Sequence, residues 1–265
     1  MNVYIQEMKM SVRSMIYWTV GMVATLILFM SMFPALSKEA TMMQKVISSF
    51  PPELIKALGL STFDLSSLTG YYAFLLTYIL LIASIYAMKS GISVLSEEVR
   101  AKTADFLLVK PITRTTIVTA KLISVLTNVL IQNIIYSIAV FIVANLVAEQ
   151  PYDKNVLMLV NLSILLVQLF FIALGLLLSV VIKKIKTVLP ITLGIVFGFF
   201  VLFLLYQSLT DSGLAYITPF AYFDASYIIE AESFKSGFVV LDIVLILVFT
   251  ALSYLIYNKK DMPSV

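Results

Sequence analysis

Apolar residues fall into six long runs along the chain, and charged residues lie almost entirely between these runs. A helix needs about 20 apolar residues to cross the roughly 30 Å of membrane hydrocarbon, and each run reaches that length. Since backbone polar groups cannot stay unpaired in lipid, and the runs are too uniform for barrel strands, we expect helices. The predicted spans are residues 15–33, 70–88, 122–148, 156–182, 187–209 and 238–257. The pattern indicates an all-α membrane protein in which residues 1–265 form a single transmembrane domain.

The loops between the runs differ in their Lys and Arg content. Thirteen of the 18 Lys and Arg residues lie near the termini and in every second loop, and five lie in the remaining loops. Because cytoplasmic loops are enriched in Lys and Arg, both termini are expected in the cytoplasm. The outer loop, residues 34–69, includes a predicted short helix opened by Pro51 and Pro52 and closed by Gly59. Such short amphipathic helices should lie on the outer surface.

The only sizeable cytoplasmic loop in this topology, residues 90–121, mixes charged and apolar residues. Pro111 would end one short helix, and Thr113 would cap a second helix that runs into the third span. The loop therefore predicts a helical elbow at the membrane surface. It could lie among lipid headgroups as an amphipathic helix, or its apolar tip at Phe106 and Leu107 could dock on another protein.

Composition narrows the possible chemistry. The chain is 61% apolar and 12% charged, with a mean hydropathy of +1.02, whereas a soluble protein carries about 25% charged residues. It has no Cys and no His, which excludes disulfides, thiolate nucleophiles, imidazole bases and the usual zinc ligands. The net charge of +3 is small and scattered, so we expect no nucleic-acid partner.

One charged residue, Asp242, lies inside a predicted span. An ionisable group in a membrane helix is expensive and often marks a functional site. Asp242 lies close to the outer end of its span, however, where water or Lys235 could reach it. Two interpretations stay open: a structural or interfacial role, and a contact with a cation or with substrate.

Amides and glycines also interrupt the apolar runs at helical spacing. The amides are Asn128 and Gln132 in the third span, and Asn161 and Gln168 in the fourth. Each pair occupies one helix face, so it either forms interhelical hydrogen bonds or lines a translocation path. In the fifth span, Gly194 and Gly198 are spaced for close helix approach, within a subunit or between subunits.

The loop at residues 90–121 resembles the cytoplasmic loop of ABC-2-type transporter permeases. The residues that fall in that family's register are Glu98, Thr103, Asp105, Leu107, Leu108, Pro111, Arg114 and Lys121. Lys102 stands where the family has a glycine. Three further stretches are similar to the family in order and spacing: 50–59 followed by Gly70 and Tyr71, then 218–224, then 257–261. The resemblance covers nearly the whole chain.

The resemblance implies a permease that pairs with a second copy or a related permease and is driven by separate ATPase subunits. Those subunits would bind ATP and Mg²⁺, because this chain contains no Gly-x-x-x-x-Gly-Lys-Ser/Thr phosphate loop. The chain itself is expected to be neither an enzyme nor a cofactor-binding protein. Residues 103–108 would be the coupling helix, oriented by Glu98 and Arg114. The residues expected at the ATPase contact are Glu98, Arg100, Lys102, Thr103, Asp105, Phe106, Leu107, Leu108 and Arg114.

These features favour a multi-pass exporter of a bacterial plasma membrane, with ATPase subunits and membrane lipid as partners. Its cargo would be apolar or amphipathic, such as a peptide, an antimicrobial compound, a drug or a lipid, because the predicted spans hold almost no charge to coordinate a hydrophilic solute. Two alternatives remain open. One is an ion-coupled secondary transporter, for sodium for example, with Asp242 as the coupling site. The other is a non-transporting sensor or scaffold that docks an ATPase.

Overall fold

A computed structural model describes residues 3–39, 47–60, 63–101, 113–182, 185–209 and 212–259, excluding the side chains at positions 57, 98–101 and 212. Within these ranges the chain is helical and has no strand. Six helical segments are long and apolar enough to cross a membrane. The predicted all-α class and the predicted number of candidate spans are therefore confirmed.

Ten α-helices follow one another in the described ranges. They are α1 (Val3–Met30), α2 (Phe33–Lys38), α3 (Pro52–Ala57), α4 (Leu68–Ala101), α5 (Arg114–Val147), α6 (Lys154–Val181), α7 (Val188–Leu209), α8 (Ser212–Ala215), α9 (Ala225–Ala231) and α10 (Ser236–Lys259). A 3₁₀ turn, Pro219–Ala221, lies between α8 and α9. The candidate spans are α1 with α2, and then α4, α5, α6, α7 and α10.

Successive spans run in opposite directions, so the first described helix begins and the last one ends at the same end of the bundle. Glu7 near the start of α1 forms an ion pair with Lys121 near the start of α5. Arg114, the first residue of α5, donates a hydrogen bond to the carbonyl oxygen of Tyr257 near the end of α10. We call this the elbow end, because α4 finishes and α5 begins there. That the elbow end faces the cytoplasm stays a prediction from the Lys and Arg distribution.

Three spans extend beyond their apolar runs. The helix of α1 begins at Val3 where the run predicts residue 15, α4 continues to Ala101 past residue 88, and α5 begins at Arg114 ahead of residue 122. No proline lies in residues 3–14, 89–101 or 114–121, so nothing ends the helix where the apolar sequence ends. Within the segment 90–121, expected to form a helical elbow, residues 90–101 continue α4, and residues 114–121 begin α5 after the cap at Thr113, as predicted. Residues 102–112 lie between the two helices.

The two most deeply buried spans, α4 and α6, pack closely against each other. Gly91 and Gly175 permit this approach. A Cβ atom at Gly91 would lie 2.5 Å from the carbonyl oxygen of Ile172, and a Cβ atom at Gly175 would lie 2.7 Å from the carbonyl oxygen of Met88. Around this central pair, α7 packs on α4, α10 packs on α6, and α1 packs mainly on α5.

The glycine pair of the fifth span lies elsewhere, on an open face of α7. A Cβ atom added at Gly194 or Gly198 would meet no atom within 4 Å. Close packing of these two glycines against another described part of the same chain is therefore ruled out. Their face is left for lipid or for another subunit.

The segments at the other end of the bundle include a predicted helix and a buried aromatic turn. The helix α3 begins at Pro52, and Gly59 follows it with a φ of 71°, a left-handed conformation that favours glycine, so its predicted boundaries are confirmed. In the aromatic turn, Phe220 packs against Phe171 of α6 and Phe200 of α7, with ring centroids 5.5 and 5.6 Å apart. This turn fixes the connection between α7 and α10 to the bundle.

Candidate functional site

A polar cavity of about 490 Å³ lies at the elbow end, enclosed by α1, α4, α5 and the start of α7. Its charged, hydroxyl and amide lining residues are Glu7, Ser11, Ser14, Lys89, Ser90, Ser93, Glu97, Lys121, Ser124, Asn128, Lys186 and Thr187. Ionisable residues within a membrane bundle typically face a water-filled cavity or a substrate pathway, because lipid cannot solvate them. The described residues contain no group of three or more His, Cys, Asp or Glu side chains that could hold a metal ion.

The wall between α1 and α5 contains a buried ion pair. Lys121 Nζ lies 2.9 Å from Glu7 Oε1, and the two side chains are 2% and 16% exposed. A buried ammonium group is costly unless a carboxylate compensates it, so each residue makes the position of the other tolerable. The pair joins α1 to α5 and places two opposite charges at the edge of the cavity.

Two further hydrogen bonds connect the cavity walls. Lys89 of α4 donates to the Ser14 hydroxyl of α1, with the two atoms 2.9 Å apart. Asn128 of α5 donates through Nδ2 to the Ser11 hydroxyl of α1 over 2.7 Å. The buried Oδ1 atom of Asn128 has no hydrogen-bond partner among the described residues. The cavity therefore offers both donors and an unused acceptor to a ligand.

Polar character continues from the cavity into the bundle along one face of α5. Lys121, Ser124, Asn128 and Gln132 follow one another at intervals of three or four residues, and all four are buried. This spacing keeps them on the same side of a helix. Asn128 and Gln132 were predicted as polar residues of the third span. Lys121 was expected in the loop at residues 90–121, because the apolar run begins after it.

At the inner end of this face, three amides hold α5 and α6 together. Gln168 of α6 donates through Nε2 to Gln132 Oε1 at 3.0 Å and to the carbonyl oxygen of Ala83 in α4 at 3.2 Å. Asn133 of α5 donates in turn to Gln168 Oε1 at 2.6 Å. Three spans therefore meet at one amide side chain, and hydrogen bonds of this kind help to fix the relative positions of membrane helices.

The other predicted amide, Asn161 of α6, belongs to a second interhelical group. Its Nδ2 donates to the Ser137 hydroxyl of α5 at 2.5 Å, and its Oδ1 accepts from the Tyr72 hydroxyl of α4 at 2.7 Å. Asn161 is buried and does not line the polar cavity. The structure thus gives Gln132, Asn161 and Gln168 interhelical partners, and a role for them in a translocation path stays a prediction.

The family model of the ABC-2 family transporter protein matches residues 1–262. The chain belongs to this family. No curated protein matches the chain. Proteins of the ABC-2 family are membrane transport subunits that typically work with an ABC ATPase, so the six spans and the polar cavity belong to a transporter component.

Most of the residues expected to contact the ATPase lie outside the described residues of this ABC-2 family member. Lys102, Thr103, Asp105, Phe106, Leu107 and Leu108 fall within residues 102–112, and Glu98 and Arg100 lie in the last turns of α4, where side chains are not described. Arg114 is described, and its Nη1 atom lies 3.5 Å from the carbonyl oxygen of Tyr257. The predicted cap is confirmed, since Thr113 Oγ1 accepts a hydrogen bond from the N–H of Thr116 at 3.3 Å.

Asp242 is buried in α10, away from the polar cavity, and its Oδ1 atom has no partner among the described residues. Lys235 does not reach Asp242 and lies instead 3.9 Å from Asp224 Oδ2 and 4.7 Å from the ring centroid of Tyr227. The suggestion that Lys235 could reach Asp242 is therefore wrong. Burial, with the Asp242 carboxylate as a second cause, raises the pKa of the Tyr222 hydroxyl to about 12.

Proposed function

We propose that this ABC-2 family member is the membrane subunit of an ATP-driven exporter in a bacterial plasma membrane. The observation that carries the proposal is the match of one permease family to residues 1–262, on a chain with six candidate spans. Separate ATPase subunits bind ATP and Mg²⁺ and supply the energy. A second copy of the chain, or a related permease, completes the pore.

The cargo in this proposal is apolar or amphipathic, in the class of peptides, antimicrobial compounds, drugs or lipids. Support comes from the distribution of polarity within the bundle. Charged side chains concentrate at the elbow-end cavity, whereas the polar groups farther inside, apart from Asp242, are amides and hydroxyls, several of which bond to each other. A bundle with this interior lacks the succession of charged ligands that a hydrophilic solute would need.

Coupling to the ATPase runs through residues 103–108 in this proposal. These residues lie between α4 and α5, and both helices line the cavity. Since α4 packs tightly on α6, and α5 is bonded to α1 and α6, a displacement of the elbow moves several helices as rigid bodies. The contact between Arg114 and the Tyr257 carbonyl group extends this connection to α10.

The proposal is tested by isolating the intact complex in mild detergent and identifying the ATPase that co-purifies. The complex is then placed in vesicles, and transport of candidate amphipathic compounds is measured with ATP, without ATP, and with an imposed sodium or proton gradient. ATP-dependent transport supports the exporter. Transport that follows the ion gradient without nucleotide would favour the secondary transporter, for which the buried Asp242 is the supporting observation. Tight ATPase binding without any transport would favour a sensor or scaffold.

A further inference from the structure

The described helices around the elbow-end cavity leave a gap between α1 and α7. Going around the cavity, α1 packs on α5, α5 packs on α4, and α4 packs on α7, whereas α7 and α1 do not pack along each other in the described part of the chain. Two exposed apolar residues of the lining flank this gap: Met10 on α1 is 53% exposed and Leu189 on α7 is 46% exposed. The wall of the cavity is therefore polar, and its rim at this gap carries apolar residues together with the exposed Lys186 and Thr187.

Basic groups outnumber acidic groups in the cavity lining by one. Three ammonium groups line it, those of Lys89, Lys121 and Lys186, against the carboxylates of Glu7 and Glu97. Because Lys121 is held in the buried pair with Glu7, the other charged groups of the lining are Lys186, Glu97 and Lys89, the last of which also bonds to Ser14. Seven hydroxyl groups, five of serine, one of threonine and one of tyrosine, complete the lining. The Ser11 hydroxyl donates to the carbonyl oxygen of Glu7, and the others add hydrogen-bonding capacity to the wall.

We propose that this cavity binds the phosphate headgroup of a membrane phospholipid, whose acyl chains leave between α1 and α7 and remain in the bilayer. Lysine is an effective binder of phosphate as a point charge, and hydroxyl donors satisfy the remaining phosphate oxygens. Basic pockets between membrane helices bind anionic headgroups in this way. The volume is ample for a headgroup, since ligand sites generally measure about 300–1,000 Å³.

The shape of the opening favours a lipid over a free anion. An anion in solution would gain nothing from an apolar rim, whereas an acyl chain that passes between Met10 and Leu189 stays in contact with apolar surface along α1 and α7. Binding needs neither ATP nor the ATPase. The inference therefore goes beyond the proposed function, and either one can fail without the other.

The single tryptophan of the chain provides a reporter for the test. Trp18 lies on α1 with its ring centroid 6.1 Å from that of Tyr86, and Tyr86 lines the cavity. The full chain is placed in phosphatidylcholine vesicles that contain a small fraction of brominated phosphatidic acid, and Trp18 quenching is measured. Vesicles with the same fraction of brominated phosphatidylcholine give the background from unselective lipid contact. Selective binding predicts stronger quenching by the brominated phosphatidic acid.

Charge variants then locate the site. Lys89→Gln and Lys186→Gln should each weaken the selective quenching about fivefold, the effect of one cation near a lipid surface. Lys186 is exposed, so its substitution does not disturb the buried structure. The matched control is Lys9→Gln, because Lys9 is an exposed lysine near the same end of α1 that does not line the cavity. It should leave the selective quenching unchanged.

Three outcomes would overturn the inference. Equal quenching by the two brominated lipids would mean that the cavity does not select an anionic headgroup. An equal loss in Lys9→Gln and Lys186→Gln would mean that the surface charge attracts the lipid without any defined site. Full displacement of the brominated phosphatidic acid by inorganic phosphate would identify a free-anion site in place of a lipid site.

Discussion

Adding one methyl group at Gly91 should force apart the two most deeply buried helices of the bundle. In Gly91→Ala, the new Cβ atom would lie 2.5 Å from the carbonyl oxygen of Ile172, whereas an ordinary contact begins at 3.4 Å. The obstacle is backbone, so no side-chain rotation can relieve it, and α4 must move about 1 Å away from α6. A gap of that size forfeits a quarter to a half of the dispersion energy of each contact across it.

The expected cost can be set against a matched control on the same chain. Overpacking typically costs about 1–3 kcal/mol, and the backbone obstacle places Gly91→Ala near the top of that range. Alanine regains about 1 kcal/mol of helix propensity, which leaves a net loss of about 2 kcal/mol. Gly194→Ala has the same propensity gain and no obstacle within 4 Å, so it should be slightly stabilising within one subunit.

The measurement is unfolding of the purified protein in detergent, followed by helical circular dichroism and by Trp18 fluorescence. Gly175→Ala should behave like Gly91→Ala, because its Cβ atom would lie 2.7 Å from the Met88 carbonyl oxygen across the same contact. The double variant should cost less than the sum of the two, since the first methyl group already opens the space that the second one needs. If Gly91→Ala and Gly194→Ala unfolded at the same denaturant concentration, the close approach of α4 and α6 would be refuted.

Three other predictions concern the coupling loop and the buried charges. The double variant Phe106→Asp with Leu107→Asp should insert normally and lose association with the ATPase, measured by co-purification; unaltered association would remove the docking proposal. Glu7→Gln should lower the free energy of unfolding by about 3 kcal/mol, because it removes the carboxylate of a buried ion pair. Adding Lys121→Met should restore most of that stability in the same unfolding assay. If the double variant stayed as unstable as Glu7→Gln, the buried ion pair would be contradicted. Asp242→Asn should retain nucleotide-dependent transport in vesicles, because the energy comes from the ATPase, and loss of transport with intact ATPase binding would support ion coupling.

The sequence was sufficient to predict the number of spans but not the length of their helices. Hydropathy reports which residues can be dissolved in lipid, whereas α1 begins ahead of its apolar run, at Val3, and α4 continues past its run, to Ala101. The start of α5 at Arg114 was predicted by the cap at Thr113. The burial of Lys121 was missed because the apolar run begins after it. Its spacing to Asn128 and Gln132 on one helix face was the signal that could have identified it.

The sequence also did not predict which residues contact each other between distant parts of the chain. The Gly-x-x-x-Gly pattern in α7 suggested close packing, whereas Gly91 and Gly175, which have no such pattern, carry the tight contact between α4 and α6. A pattern within one helix cannot reveal which partner faces it. Lys235 illustrates the same limit, because its proximity in sequence to Asp242 gave no information about Asp224, the carboxylate that it approaches.

The polar cavity and the expected ATPase contact are linked by the course of the chain. Residues 102–112 join α4 directly to α5, and these helices contribute Lys89, Lys121 and Asn128 to the cavity. In the proposed coupling, a force that an ATPase applies to this short segment is passed along the chain to both walls. Because α5 is bonded to α1 through the ion pair at Lys121, whereas α4 is packed on α6, a change in the angle between α4 and α5 would alter the opening between α1 and α7.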